Sequence, residues 1–112
     1  MGKRKIIWSH RAKIKLFEIL DFYTTRNQSP AYSKKLFKRF RKELNTLTKQ
    51  PDIGHRTDDE SVRGLIVYGK FILYYSATSD SIILHTIWDC RQNPDDLVFR
   101  DKEIARKARN EE

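Results

Sequence analysis

The chain has few of the residues that build disulfides, cofactor sites and membrane spans. Its only cysteine is Cys90, so it has no intramolecular disulfide, and no run of residues reads as a signal peptide or a membrane helix. We therefore expect a cytoplasmic protein with no membrane partner. Four scattered glycines form neither a phosphate-binding loop nor a dinucleotide-binding motif, so no nucleotide cofactor is expected.

The three histidines also lack the spacing of a metal site. His10, His55 and His85 lie in different predicted elements, with no helical pair and no cysteine at ligand spacing, so we expect no metal and no other cofactor. Cys90 follows His85 by five positions along the last predicted strand. Strict alternation would place their side chains on opposite faces, and we predict that Cys90 is a small packed residue rather than a nucleophile.

Positive charge is what the sequence has in excess. Lys and Arg total 23 against 15 Asp and Glu, which gives a net charge of +8 in 112 residues, a length typical of one domain. The 12% aromatic content argues against disorder. Such a charge favours a polyanionic partner, either nucleic acid or an acidic protein segment, although a soluble cationic surface is the simpler alternative.

Apolar periodicity predicts a strand at Arg4 to Trp8, followed by two amphipathic helices. Ser9 is a suitable N-cap for the first helix. The predicted core stripes of the two helices are Ala12, Leu16, Ile19, Leu20 and Tyr23, and then Tyr32, Leu36, Phe37, Phe40, Leu44 and Leu47. A short connection at Ser29-Pro30 makes the pair an antiparallel hairpin that ends before Pro51.

Three runs rich in β-branched and aromatic residues then predict an antiparallel meander. They are Val62 to Tyr68, Phe71 to Ser76 and Ser81 to Trp88, preceded by a polar loop at residues 51–61. We therefore predict the α+β class, with a small, mainly antiparallel sheet in β-α-α-β-β-β order and the helical hairpin packed on one face. Residues 1–97 form the predicted domain, and residues 98–112 a charged, mobile tail.

Charge on the second helix is almost all of one sign. The exposed stripe is Lys34, Lys35, Lys38, Arg39, Arg41 and Lys42. Like charges four positions apart repel, so this stripe predicts an anionic partner, with a solvated face as an equally weighted alternative.

The last strand ends in polar residues that suit a functional site. Trp88 and Asp89 should point to opposite faces, and Arg91 and Gln92 follow at once. Cations stabilise charge on a phosphate, and an imidazole or carboxylate can transfer a proton, so metal-free RNA cleavage is chemically feasible. The candidate catalytic residues are Arg63, Lys70, His85, Asp89 and Arg91. For each one alone a structural role is favoured: strand-edge charge, local ion pair or satisfied core residue.

In this order and spacing, the chain resembles the RelE/ParE superfamily of bacterial type II toxins. The resemblance rests on Ile6–Ser9 with Ala12, Ile19–Tyr23, Leu44 and Leu47 with Pro51 and Gly54, Val62–Leu65, Phe71–Tyr75, Ile82–Leu84, and the ending Ile87–Pro94. It implies a growth-arresting toxin that a cognate antitoxin holds inactive. The antitoxin would wrap the basic hairpin and the sheet with an acidic and apolar segment, and Trp88 and Gln92 join the basic stripe as candidate binding residues.

The superfamily implies two activities between which the residues do not decide. RelE-like members cut mRNA on the ribosome, whereas ParE-like members inhibit DNA gyrase. Arg91 matches the basic residue after the last strand, but Phe71 stands where nucleases carry arginine, and Val62 and Gly64 stand where they carry lysines. Arg91 and the cationic sheet favour the nuclease slightly. A nontoxic binding module on the same fold is the remaining alternative.

Overall fold

The computed structural model of the protein describes residues 3–91. Its elements in chain order are β1 (Lys5–Trp8), α1 (His10–Asn27), α2 (Ala31–Lys49), β2 (His55–Arg56), β3 (Arg63–Val67), β4 (Phe71–Ala77) and β5 (Ser81–Asp89). Gln92, the end of the predicted domain and the predicted tail lie outside the described residues.

The helical hairpin forms as its sequence predicts. The Ser9 hydroxyl accepts from the backbone N–H of Ala12 at 3.0 Å and donates to the carbonyl of His85 at 2.7 Å, so one residue caps α1 and ties it to β5. The helices are joined by the Ser33 hydroxyl, which donates to the carbonyl of Leu20 at 2.8 Å. Phe37 departs from the prediction, because it is 37% exposed rather than buried in the core stripe.

The five strands form one mixed sheet in the order β1-β5-β4-β3-β2. β1 runs parallel to β5, and the other neighbours are antiparallel. The β3–β4 connection contains positive φ angles at Tyr68 (55°) and Gly69 (67°), and the turn closes through Lys70 N–H to the Val67 carbonyl at 3.1 Å. The α+β class, the helix order and the antiparallel meander are as predicted.

One strand was missed by the sequence reading. The predicted loop at residues 51–61 contains β2, in which His55 pairs with Gly64 and Arg56 with Arg63. Two residues are too few to show the alternation by which strands are recognised. The observed order is therefore β-α-α-β-β-β-β rather than β-α-α-β-β-β.

The helices cover one face of the sheet, and the opposite face carries a separate small cluster. Residues of α1, α2 and the strands form the main core, including Phe40, Phe71 and Tyr75. Val62, Ile72, Tyr74 and Trp88 form the second cluster, which contains no residue of either helix. We call this face of the sheet, on which neither helix packs, the open face.

A bulge in β5 overturns the predicted placement of His85 and Cys90. Tyr74 pairs with Thr86 but Tyr75 pairs with Leu84, so His85 is an extra residue in the ladder. His85 forms a hydrogen bond with Ser76, which lies two positions after Tyr74 on β4 and therefore on the same face. Cys90 packs against the open-face cluster. Both side chains therefore lie on the open face rather than on opposite faces, while the packing role predicted for Cys90 holds.

Candidate functional site

The carboxyl end of β5 holds a buried carboxylate paired with an arginine. Asp89 points towards the helices and Trp88 to the open face, as strand alternation predicts, and Asp89 is only 6% exposed. Its Oδ2 accepts from Arg91 Nη2 at 2.6 Å, and its Oδ1 accepts from Arg91 Nε at 3.1 Å and from the Arg91 backbone N–H at 3.0 Å. The local ion pair that the sequence offered as an alternative is therefore present.

Aromatic rings of α1 hold the other side of this arginine. The Arg91 Cζ atom lies 4.5 Å from the ring centroid of Phe22 and 5.2 Å from that of Tyr23, within cation–π range. The hydrogen bonds that Arg91 donates to Asp89 raise the pKa of Arg91, and burial raises the pKa of Tyr23 although Arg91 opposes that shift. Because 47% of the Arg91 side chain is exposed, it presents a fixed cation beside the exposed Phe22 ring.

Lys70 joins Asp89 and Arg91 at this end of the sheet. It is exposed in the β3–β4 turn, and its backbone carbonyl accepts from the Cys90 N–H at 2.8 Å. In the same turn, Tyr68 lies 4.9 Å beneath the guanidinium of Arg39. We call this region, made of Phe22, Lys70, Asp89 and Arg91, the arginine end.

Arg63 lies at the opposite end of the sheet and binds the segment that precedes β2. Its Nη1 donates to the carbonyls of Gly54 at 2.9 Å and Asp52 at 3.2 Å. Its strand partner Tyr75 is fully buried, donates to the Pro51 carbonyl at 2.6 Å and accepts from the Gly54 N–H at 3.0 Å. We call this region, made of residues 51–54 with Arg63 and Tyr75, the tyrosine end.

His85 is also remote from the arginine end. Its Nε2 lies 2.7 Å from the Ser76 hydroxyl, which donates to the Ser61 carbonyl at 2.5 Å. Since that hydroxyl has one proton, His85 is the donor in the Ser76–His85 bond. Burial lowers the pKa of His85, and the nearby Asp59 opposes this shift.

The five candidate catalytic residues thus divide into two groups. β4 pairs Phe71 with Asp89 and Tyr75 with Leu84. Phe71 and Tyr75 are four positions apart along β4, which is roughly 13 Å. The structure brings Lys70, Asp89 and Arg91 together, and leaves Arg63 and His85 towards the other end of β4.

The basic stripe is exposed except at one position. Arg39 is half-buried and pairs with Glu43 at 2.7 Å, whereas the remaining cations are exposed: Lys34, Lys35, Lys38, Arg41 and Lys42. Part of this stripe borders two adjoining depressions that share Trp8 and Arg41. The first is lined further by Lys13, Leu16, Phe17 and Phe37, and the second by Ile6, Lys38, Lys42, Leu44 and Asn45. We call the pair the hairpin groove.

Exposed aromatic residues in this groove were not predicted. Phe17 is 69% exposed and Phe37 is 37% exposed. Phe17 lies outside the Ala12–Tyr23 stripe of α1. Its position off that core stripe is the sequence feature from which its exposure could have been predicted. Phe37 was assigned to the core because its spacing fits the stripe of α2, and periodicity alone does not show where a partner element ends.

Within residues 3–91, no group of three or more His, Cys, Asp or Glu side chains is arranged to hold a metal ion. Over the same residues, no helix is both long and apolar enough to cross a membrane.

Sequence comparison decides the family. The profile described as "ParE toxin of type II toxin-antitoxin system, parDE" matches residues 6–94. The chain belongs to the ParE toxin family. This confirms the resemblance to the RelE/ParE superfamily and places the chain among the toxins of type II toxin–antitoxin systems. No curated protein matches the chain.

A solved structure shares the fold of this ParE-family chain. It is described as "Chromosomal ParDE TA system from P. aeruginosa", and it matches with a TM-score of 0.67 at 18% sequence identity. The match covers 78% of this chain and 96% of that chain. At this identity the likeness concerns the fold, so the arginine end has to be interpreted from its own geometry.

Proposed function

We propose that this ParE-family protein is the toxin of a toxin–antitoxin pair and arrests growth by binding DNA gyrase, without cutting RNA. The observation that carries this choice is the separation of Arg63 and His85 from Lys70, Asp89 and Arg91. Metal-free cleavage needs proton-transfer groups and phosphate-binding cations within hydrogen-bond reach of the same phosphodiester. The two groups lie too far apart for one phosphodiester to contact both.

The partners of each residue support the same choice. Arg63 donates to two backbone carbonyls, His85 donates to Ser76, and the carboxylate of Asp89 is occupied by Arg91. A general base needs a free acceptor, and the carboxylate oxygens of Asp89 are already taken by hydrogen bonds from Arg91. The arginine end therefore suits recognition of a target surface, with Arg91 and Phe22 as a fixed cation and an exposed ring.

Ribonuclease activity is the second candidate, because Lys70 and Arg91 are exposed cations at the same end of the sheet. Two such cations beside Asp89 could bind a phosphate. This candidate requires Asp89 to exchange its pairing with Arg91 for a substrate proton.

Induction in cells separates the two activities. We expect intact transcripts, double-strand DNA breaks and an induced damage response within minutes of expression. Arg91→Gln should weaken growth arrest and inhibition of gyrase supercoiling together, by about tenfold or more, because one central interface arginine is removed. Arg11→Gln, an exposed arginine at the start of α1, is the matched control. Ribosome-bound transcripts cut at codons, with supercoiling unaffected, would establish the nuclease instead.

The antitoxin is proposed to occupy the hairpin groove. Its walls combine the exposed Phe17 and Phe37 rings with Lys38, Arg41 and Lys42, which suits a segment that carries apolar anchors and Asp or Glu. Charge pairing of this kind speeds association and weakens as salt rises.

Co-expression with an adjoining open reading frame tests this site. Phe17→Ala combined with Arg41→Glu should reduce capture of the antitoxin by about a hundredfold while growth arrest persists, because a ring and a charge pair are lost. Lys49→Glu is the matched control on the same helix and outside the groove. Equal capture by both variants would place the antitoxin elsewhere, and no capture by the unaltered chain would argue against the toxin–antitoxin pair.

A further inference from the structure

A pocket of about 300 Å³ lies beside the arginine end, between α1 and the end of β5. It is lined by Lys15, Glu18, Ile19 and Phe22 of α1 and by Ile87, Asp89 and Arg91. The four helix residues follow the i, i+3, i+4, i+7 spacing of one helical face, and Ile87 and Asp89 alternate onto one face of β5. We call this cavity the α1–β5 pocket.

Part of the lining is apolar. Ile87 is fully buried, Ile19 is 7% exposed, and Phe22 is 43% exposed. Ligand pockets in proteins begin at roughly 300 Å³, so this cavity suits one apolar side chain or a short alkyl chain rather than a bulky cofactor.

Arg91 offers the pocket a hydrogen-bond donor beyond those that hold Asp89. Its Nε and Nη2 atoms donate to the Asp89 carboxylate, while Nη1 makes no hydrogen bond within residues 3–91. A guanidinium presents its N–H groups in a planar fork, so a second carboxylate can bind the Nη1–Nη2 edge while Asp89 keeps its pair. The exposure of nearly half of the Arg91 side chain allows such a ligand to approach.

The other charged groups favour an anionic ligand over a cationic one. Both oxygens of Asp89 already accept from Arg91, and Glu18 pairs with Lys15 at 3.4 Å. Lys15 keeps further donors, because an ammonium group has three N–H bonds. A carboxylate therefore finds donors on Arg91 and Lys15, whereas a cation would have to compete with Lys15 for Glu18.

The apolar lining distinguishes a protein carboxylate from a nucleic-acid phosphate. A phosphate of DNA can pair with Arg91, but it carries no apolar group to fill the space between Ile19 and Ile87. An Asp or Glu on a protein surface can have an apolar neighbour, and burial of that neighbour is favourable in proportion to the apolar area removed from water. The pocket thus matches a carboxylate with an apolar group beside it.

We propose that the α1–β5 pocket recognises an acidic residue of the target protein together with an adjacent apolar side chain. The carboxylate pairs with Arg91 and Lys15. The apolar group occupies the cavity lined by Ile19, Phe22 and Ile87. This inference rests on the proposed function, in which the target is gyrase, and it assigns the contact to the gyrase protein rather than to its DNA.

Small probes test the pocket in the full-length chain without gyrase. Isoleucine methyl NMR signals are followed during titration with hexanoate, hexylammonium or inorganic phosphate at constant ionic strength. Hexanoate should shift the signals of Ile19 and Ile87 and leave that of Ile53, which is exposed at the tyrosine end, unchanged. It should bind about tenfold or more tightly than the other two probes, because it alone supplies both a carboxylate and an alkyl chain.

Removal of the exposed ring gives the variant for both the probe and the partner. Phe22→Ala should weaken hexanoate binding about fivefold, and binding of purified gyrase in the absence of DNA about tenfold, because one apolar wall is lost. Ile14→Ala is the matched control, since Ile14 is 44% exposed on the same helix and lies outside the pocket. It should retain both affinities, and circular dichroism with urea midpoints verifies that both variants are folded.

The outcomes separate this inference from the proposed function. Unshifted Ile19 and Ile87 signals in hexanoate, equal binding of the three probes, or full gyrase affinity in Phe22→Ala would overturn the pocket while gyrase inhibition stands. Binding of gyrase by the unaltered chain only when DNA is present would also overturn it, because the contact would then depend on DNA. No binding of gyrase with or without DNA would overturn the proposed function itself.

Support for the proposal requires both halves of the test. These are selective binding of hexanoate at Ile19 and Ile87, and DNA-independent binding of gyrase that Phe22→Ala weakens and Ile14→Ala does not.

Discussion

Two arginines at opposite ends of the sheet are used in opposite ways. At the tyrosine end, Arg63 donates to the carbonyls of Asp52 and Gly54 and so fixes the chain that leads into β2. At the arginine end, Arg91 rests on a buried carboxylate and two rings, and nearly half of its side chain faces solvent. An arginine bound to backbone carbonyls serves the fold, whereas one oriented by side chains remains available to a partner.

Removal of the carboxylate beneath Arg91 should have the largest effect on this comparison. Asp89→Ala is expected to lower the free energy of unfolding by about 2–4 kcal/mol, because three hydrogen bonds from Arg91 are lost at a buried position. Growth arrest should also weaken, since Arg91 loses its orientation. Urea denaturation and induction assays measure the two effects. Asp58→Ala, exposed in a loop, is the control, and equal stabilities would contradict the buried ion pair.

The tyrosine end should respond in stability without a change in toxicity. Tyr75→Phe is expected to cost about 1–3 kcal/mol of unfolding free energy, because the buried Gly54 N–H and Pro51 carbonyl lose their partner. Gyrase inhibition per folded molecule should be unchanged. Tyr68→Phe is the matched control, since Tyr68 is 42% exposed. A loss of inhibition in Tyr75→Phe at full folding would assign this end to the target surface.

Separate substitutions of the two arginines should have smaller effects. Arg63→Gln should cost about 1 kcal/mol of unfolding free energy and leave growth arrest intact, because only exposed and half-buried carbonyl bonds are lost. Arg91→Lys keeps the charge but not the paired geometry with Asp89, so growth arrest should weaken more than stability. Denaturation and growth curves for the two variants give the comparison. It fails if Arg63→Gln is the less toxic of the two.

The smallest expected effect is a pH dependence from His85. Burial lowers its pKa in the folded state below the ordinary value of 6.5, so the unfolded chain binds the proton more tightly. The contribution of His85 to the free energy of unfolding should therefore be fully present above pH 6.5. It should fall by roughly 1 kcal/mol or less as the pH drops below that value. Urea midpoints across this range measure the slope. His85→Gln should flatten the slope, and a slope as steep in His85→Gln would assign the dependence to other groups.

The features of the fold that could be predicted from the sequence are those set by local periodicity and capping. The stripe of α1, the cap at Ser9 and the opposed directions of Trp88 and Asp89 follow from local rules, and the structure has them as expected. The two-residue strand β2 and the bulge at His85 could not be predicted from the sequence. Both depend on pairing with another strand, which a single sequence does not display.

The candidate site shows the same division more sharply. The ion pair of Asp89 and Arg91 is local in sequence and was foreseeable as an alternative, but the rings of Phe22 and Tyr23 come from a helix far away in the chain. The structure also gives Arg91 a part in the fold, because Arg91→Ala would leave the Asp89 carboxylate without its partner in a buried position. Distance along β4, not residue type, separates Arg63 from Arg91.

The interior position of β5 in the sheet has a consequence for the synthesis of the protein. β5 pairs with β1 at one side and β4 at the other, and both helices contact it, yet it is the last described element to be translated. Until it has left the ribosome, β1 has no strand partner and α1 lacks the strand that it contacts most. We therefore expect chains that terminate before β5 to be harmless, so that a cell making this toxin meets a folded molecule only after β5 has been synthesised.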